Sequence, residues 1–270
     1  MYFGHSLPIL LRLKRVPVTP EEQVLAMYTT LAQKWGPQHW WPARTPFEVV
    51  VGAYLTQNTN WTNVELALGK LRSARVLSVG GIRNISIRRL EGLVRSSGYF
   101  RQKARRLKLF VKFLDRSYGG SLRRMFAQPT AKLREELLAL DGVGPETADS
   151  ILLYAGQHAI FVVDTYTRRI SERHALTGAK ANYEELRVLF ERGLSERALA
   201  IVPAMRSLGS ASHLPSPMSL ALRPPLAQVF NEMHGLIVGV GKTYCLKSKP
   251  RCEECPLKPL LPAGPAARDL

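Results

Sequence analysis

Two glycines one residue apart, with a proline directly after them, give the chain its most informative stretch. In Leu137-Leu138-Ala139-Leu140-Asp141-Gly142-Val143-Gly144-Pro145-Glu146-Thr147-Ala148 a helix ends at Leu140, Gly142-Val143-Gly144 forms a tight turn, and Pro145 opens a second helix. Glycines allow backbone angles closed to other residues and let the main chain come close to a ligand. The new helix directs unpaired N–H groups and the positive end of its dipole outward, which makes an anion site suited to a DNA phosphate. A contact of this kind through Gly142, Val143 and Gly144 positions a duplex but reads no sequence. Gly-x-Gly by itself is also the turn of an ordinary helical hairpin. The apolar frame on both sides and the charge of the chain favour the phosphate: 38 Lys and Arg oppose 21 Asp and Glu, a net +17, and an excess of that size points to a polyanionic partner.

Two acids stand at helix starts. Asp164 precedes Thr165-Tyr166-Thr167-Arg168-Arg169 and is a good N-cap. Glu146 lies in the first turn after Pro145, where the helix dipole favours a negative charge. The three cysteines, Cys245, Cys252 and Cys255, are confined to one short stretch, which argues against a secreted disulfide framework. No histidine follows them at the spacing of a zinc site. Lys247, Lys249 and Arg251 lie among these cysteines and suit DNA phosphates with or without a metal.

The elements that must position these groups read as helices. Thr19-Pro20-Glu21-Glu22 is a capping box with proline at the first helical position, and Val24, Tyr28, Leu31 and Trp35 follow at helical spacing, so 20–35 is an amphipathic helix. Thr45-Pro46-Phe47-Glu48 opens another. Further helices are predicted over 61–73, 86–96, 101–116, 130–139, 145–156, 165–174 and 182–193. Only 159–163 is β-like, and five residues without a partner run read as a buried linker. The fold class is therefore all-α. Residues 1–18 read as a basic N-terminal extension, 202–226 as an irregular insertion rich in Pro, Ser and Leu, and 263–270 as a tail. No apolar run approaches the roughly 20 residues of a membrane span, and the short apolar stretch near the N-terminus has its cations on the wrong side for a signal peptide. The expected location is cytoplasmic.

Leu140-Asp141-Gly142-Val143-Gly144-Pro145-Glu146-Thr147-Ala148, followed by Val162-Val163-Asp164-Thr165-Tyr166-Thr167-Arg168-Arg169, resembles the signature of the helix-hairpin-helix DNA glycosylase superfamily. The endonuclease III-like branch is the nearest in pattern. Leu55-Thr56-Gln57-Asn58-Thr59, Gly98-Tyr99-Phe100-Arg101-Gln102-Lys103-Ala104 and Cys245-x6-Cys252-x2-Cys255 match other segments of that branch, and the matches together span about 20–258. The resemblance implies two all-α lobes. A six-helix barrel over about 44–158 ends in the hairpin, and residues 19–43 with 159–262 form the second lobe. It also implies a monomer acting on double-stranded DNA that carries a damaged base.

The resemblance assigns Asp164 to catalysis. A glycosylase cuts a C1′–N bond in a nucleotide swung out of the stack, the transition state carries positive charge on the sugar, and a fixed carboxylate stabilises that charge and orients water. Gln57 matches the glutamine that fills the gap left by the flipped nucleotide, and Arg168 is assigned to DNA. Trp61, Trp40 and Trp41 are read as packing before base stacking. Glu146 departs from the pattern, because bifunctional members carry there a lysine that forms a Schiff base. Lys103 and Lys132 sit where solvated basic faces are expected. Leu261 occupies the place of the fourth ligand of the family's [4Fe–4S] loop, so the ligand set is incomplete. The expected function is a monofunctional base-excision-repair glycosylase, with an alkylated base such as 3-methyladenine favoured. A bifunctional glycosylase/AP lyase and a non-catalytic lesion-binding protein are the alternatives.

Overall fold

The computed structural model describes residues 19–178, 180–199 and 214–262. The expected extension 1–18, the tail 263–270 and residues 202–213 of the expected insertion lie outside the described residues. Helix α1 (Pro20–Trp35) begins with the capping box: Thr19 accepts from the Glu22 amide, and Glu22 accepts from the Thr19 amide. Helix α2 (Pro46–Thr56) is capped by Thr45, which accepts from the Glu48 amide, and is buried on nearly every face. Then follow α3 (Trp61–Ser73), α4 (Val79–Asn84), α5 (Ile87–Leu93), α6 (Phe100–Tyr118), α7 (Leu122–Phe126), α8 (Thr130–Leu138) and α9 (Pro145–Ser150). Helix α9 runs on into one wide π turn over Ile151–Ala155. After the linker come α10 (Thr165–Arg173), α11 (Tyr183–Gly193), α12 (Glu196–Leu199) and α13 (Pro225–Thr243). The protein is all-helical, with no strand among the described residues.

Differences from the sequence reading have local causes. The helix expected over 86–96 breaks at Val94 into α5 and a 3-10 turn over Arg95–Ser97. The short α4 and α7 were not expected, because one or two turns carry too little periodicity to register. The long α13 also escaped the reading. It is buried almost throughout, with Gln228, Asn231 and Glu232 recurring at helical spacing along one side. Its Gly241 lets Tyr166 of α10 pack directly on the backbone, since a Cβ there would stand 2.2 Å from the ring. Residues 214–223 contain no helix but are not loosely attached: Met218 is buried, its amide donates to Ala43 O at 3.0 Å, and Ser216 accepts from the Ala43 amide.

Helix α2 packs against α3, α6, α9 and the π turn, while α6 packs against α4, α5 and α7. On the other side α13 packs against α1, α10, α12 and the same π turn, and α1 packs against α11. The π turn thus lies between α2 and α13, and its residues Ile151–Ala155 are buried.

Candidate active site

The hairpin adopts the geometry its glycines permit. Gly142 sits at φ 73, a conformation that demands glycine, and a Cβ there would fall 1.9 Å from Arg106 Nε and displace the guanidinium. Gly144 is extended, caps α9 without a side-chain bond, and has nothing within 4 Å of its missing Cβ. Val143 turns its side chain into the core and offers only backbone outward. Gln57, at the end of α2, donates from Nε2 to Gly142 O and to Thr147 Oγ1, both at 2.9 Å, while Arg106 donates to its Oε1 at 3.2 Å. The side chain expected to probe the duplex therefore holds the hairpin in the free protein.

Lys103 departs from its expected solvated face. It is 1% exposed and donates to Leu55 O at 2.8 Å and Ser97 O at 2.5 Å, tying α2 to the turn before α6. Burial and the neighbouring Arg106 push its pKa down to about 8. Lys132 donates to Gln128 Oε1 one turn away on the surface.

Asp164 caps α10. Its Oδ1 accepts from the Thr167 amide at 2.8 Å and from Thr167 Oγ1 at 3.0 Å. Its Oδ2 faces His234 Nε2 of α13 at 3.8 Å, in a pair 13% and 5% exposed respectively. Glu146 reaches solvent, yet protein crowds its carboxyl enough that burial, seconded by the Asp164 charge, raises its pKa to about 7, against a lowering by Arg168. Asp164, Glu146 and Arg168 are thus brought into one electrostatic neighbourhood. Arg168 is exposed and donates to Ala181 O.

The linker that carries Asp164 is fixed at successive residues. Phe161 N donates to Glu191 Oε1 at 2.9 Å, and Val163 N to Tyr183 Oη at 3.3 Å. Tyr183 in turn donates to Asp149 Oδ2 at 2.9 Å, and Arg134 bridges Asp149 and Glu184. Asp149 is fully buried on α9, so this network ties the hairpin's second helix to the strand of chain leading to Asp164. Aromatic rings wall the same region. Trp41 meets Trp61 edge-on at 5.0 Å and Tyr154 at 5.1 Å, and His234 lies 5.7 Å from Tyr154 and 5.9 Å from Trp40. The packing expected of Trp40 and Trp41 is seen, and Trp61 is partly buried against the core.

The cysteine loop is a separate place. Cys245, Cys252, Cys255 and Leu261 line one small pocket with Arg173 and His174. Arg169 donates to Cys245 O at 2.7 Å, and Arg173 donates to Cys245 Sγ at 3.2 Å and Leu246 O at 2.8 Å. Helix α10 therefore holds Asp164 at its start and this loop at its end. The donor set does not fit a four-thiolate cluster: an aliphatic side chain stands at the fourth corner, and among the described residues no group of three or more His, Cys, Asp or Glu is placed to hold a metal ion. Lys247 and Lys249 are exposed, and Arg251 is engaged by Glu254.

A family model described as "HhH-GPD superfamily base excision DNA repair protein" matches residues 51–196, which run from α2 through the hairpin and Asp164. The chain belongs to the helix-hairpin-helix base excision DNA glycosylase superfamily. It is 38% identical over 238 residues to a provisionally described DNA repair glycosylase of Methanocaldococcus jannaschii, covering 88% of this chain and 94% of that one. It is 29% identical over 217 residues to endonuclease III of Thermotoga maritima, with 79% and 81% covered. Among solved structures, H. pylori 3-methyladenine DNA glycosylase bound to 1,N6-ethenoadenine superposes with a TM-score of 0.66 at 29% identity, over 83% of this chain and 98% of that chain. Endonuclease III trapped on DNA shares the fold, with a TM-score of 0.64 at 21% identity. No helix among the described residues is long and apolar enough to cross a membrane.

His234, Tyr154 and the Asp149 network were missed by sequence reasoning. His234 lies on α13, which was not read as a helix, and Tyr154 lies in an apolar run that reads only as core.

Proposed function

We propose that this glycosylase is monofunctional and releases alkylated, cationic bases from duplex DNA, with the flipped base against the half-buried Trp61. The observation that carries the reading is Glu146 beside Asp164: the hairpin position that would need an amine to attack the sugar holds a carboxyl instead. A carboxylate has no nitrogen to condense with the sugar aldehyde. A carboxylate near C1′ instead favours the positive charge that develops on the sugar as the base departs. An alkylated purine already carries positive charge and leaves as a neutral molecule, so the site needs little acid catalysis. Aromatic faces attract such a cation. The likeness to a 3-methyladenine glycosylase supports the same substrate class.

In this reading Gly142, Val143 and Gly144 take a phosphate, Gln57 exchanges its bonds to the hairpin for the gap in the duplex, and Arg168, Lys247, Lys249 and Arg251 meet the backbone. Lys103, whose lowered pKa favours the bifunctional alternative, has its amine already committed to two carbonyls. The test is base release from a panel of damaged duplexes, with and without alkali, in parallel with borohydride trapping. Free methylated purine, alkali-dependent strand breaks and no trapped adduct are expected. Efficient trapping by the unmutated protein would overturn the monofunctional reading.

A further inference from the structure

His234 is buried in a position that a packing role does not explain. Its Nδ1 lies 3.1 Å from Val162 O. A carbonyl only accepts, so Nδ1 carries a proton and donates it there. That fixes Nε2 as the nitrogen facing Asp164 Oδ2, 3.8 Å away, too far for a direct hydrogen bond. In the neutral ring both facing atoms are acceptors. One water satisfies both by donating an O–H to each, since two arms of about 2.8 Å span a 3.8 Å gap. The lone pairs of that water are then directed away from both groups. Asp164 keeps the larger exposure of the pair, so the site is open on the carboxylate's side.

We propose that His234 Nε2 and Asp164 Oδ2 jointly hold the water that attacks C1′, and that His234 accepts its proton. This deepens the hydrolytic reading above and rests on it. The water oxygen bonds to C1′, the C1′–N bond breaks, and its electron pair leaves with the base. One water proton passes to Nε2, the other remains on the new 1′-hydroxyl, and the imidazolium is stabilised by Asp164 until it returns the proton to solvent. Val162 O plays the orienting part, holding the ring in the tautomer whose Nε2 is free. Val162 is itself held from both sides, because Phe161 and Val163 donate to Glu191 and Tyr183.

The other ionisable groups near the pair are Tyr154, whose ring is 5.7 Å from His234, Tyr166, which feels the Asp164 charge, Glu146 and Arg168, which act on one another, and Asp149, whose charge acts on Tyr154. On α13 itself Glu232 is engaged by Gln38 and Gln228, and Arg223 lies between Glu232 and Tyr154. Of these Glu146 titrates near pH 7, so the test has to separate its contribution from that of His234.

The experiment measures single-turnover purine release from methylated duplex DNA by the unmutated protein, His234→Asn and Glu146→Gln across pH 5 to 9. Asn keeps a donor toward Val162 O but offers no base. Duplex affinity and melting temperature are expected to hold, while release falls about 100-fold or more, the scale of general base catalysis. The rising pH limb assigned to His234 should vanish in His234→Asn and persist in Glu146→Gln. Near-normal release with an unchanged limb overturns the proposal. If His234→Asn fails to fold, imidazole 15N shifts of the unmutated protein decide. A neutral Nδ1–H ring in the active pH range is expected, and an imidazolium throughout that range refutes the proposal. Absence of purine release from the unmutated protein would instead defeat the glycosylase reading on which the proposal stands.

Discussion

The two hairpin glycines should fail in opposite ways when each becomes alanine. At Gly142 the φ of 73 is a left-handed conformation, which costs a non-glycine residue about 1–2 kcal/mol. The new methyl would also stand 1.9–2.4 Å from three atoms of the Arg106 guanidinium. Arg106 is long enough to swing aside, but it then gives up its bond to Gln57 Oε1 at 3.2 Å, worth about 1 kcal/mol. The sum is about 2–3 kcal/mol, a drop in melting temperature of about 5–10 °C for a chain of this size. Gly144 is extended and faces open space. Its alanine variant should melt within about 2 °C of the unmutated protein, because an unhindered surface change stays within about 0.5 kcal/mol. If that open space is where the phosphate sits, the methyl blocks one contact, and the slope of log K against log salt should shrink by about one. Calorimetry and salt-dependent duplex binding on both variants decide. A Gly142→Ala protein that melts normally, or a Gly144→Ala protein that melts low with unchanged DNA binding, would refute the argument.

Asp164→Asn should bind duplex DNA and fold, because asparagine caps a helix as well as aspartate does, yet lose about 100-fold or more of base release; near-normal single-turnover rates would remove Asp164 from the chemistry. Glu146 holds a proton up to about pH 7 in the folded protein, whereas the unfolded chain releases it near the ordinary glutamate value. The folded state therefore binds more protons between those two values, and stability falls as pH rises across that window. Glu146→Gln should flatten this fall in stability; an identical pH–melting profile would show that the carboxyl is not perturbed. Protein purified anaerobically should carry less than a full four-iron complement or lose iron rapidly in air, since Leu261 supplies no ligand; stoichiometric, air-stable iron with ordinary cluster spectra would contradict this.

How much of the molecule could be read from its sequence depended on where polar residues had to appear. Helices with one wet face, such as α1, α6 and α11, show their period and were found within a residue or two. The hairpin was readable because Gly142 needs a conformation that other residues resist. Asp164 was readable as a cap and, through the resemblance, as the catalytic carboxylate, whereas its proximity to Glu146 emerged only from the structure. Lys103 was misread for the opposite reason. In sequence it is one cation among the many of α6, and only the carbonyls left over at the ends of two other elements, Leu55 O and Ser97 O, draw it inside. Burying a long cation is tolerable when its donors are matched and its charge can be relinquished, and a pKa near 8 fits that condition.

The helix that sequence reasoning missed is the one that completes the site. Helix α13 packs against α1, α10, α12 and the π turn and is buried along most of its length. Its few polar side chains are consequently under strong constraint, because each must find a partner without water. Asn231 donates to Trp40 O, and Glu232 takes the Gln38 amide and Gln228, so these two fasten the Trp40–Trp41 segment. His234 spends one nitrogen on Val162 O and directs the other at Asp164. One helix thus fixes both the aromatic wall and the linker that carries the carboxylate. A buried polar residue in a largely apolar run is poor evidence for secondary structure. In this protein it marks where a helix turns its bonding capacity toward the site.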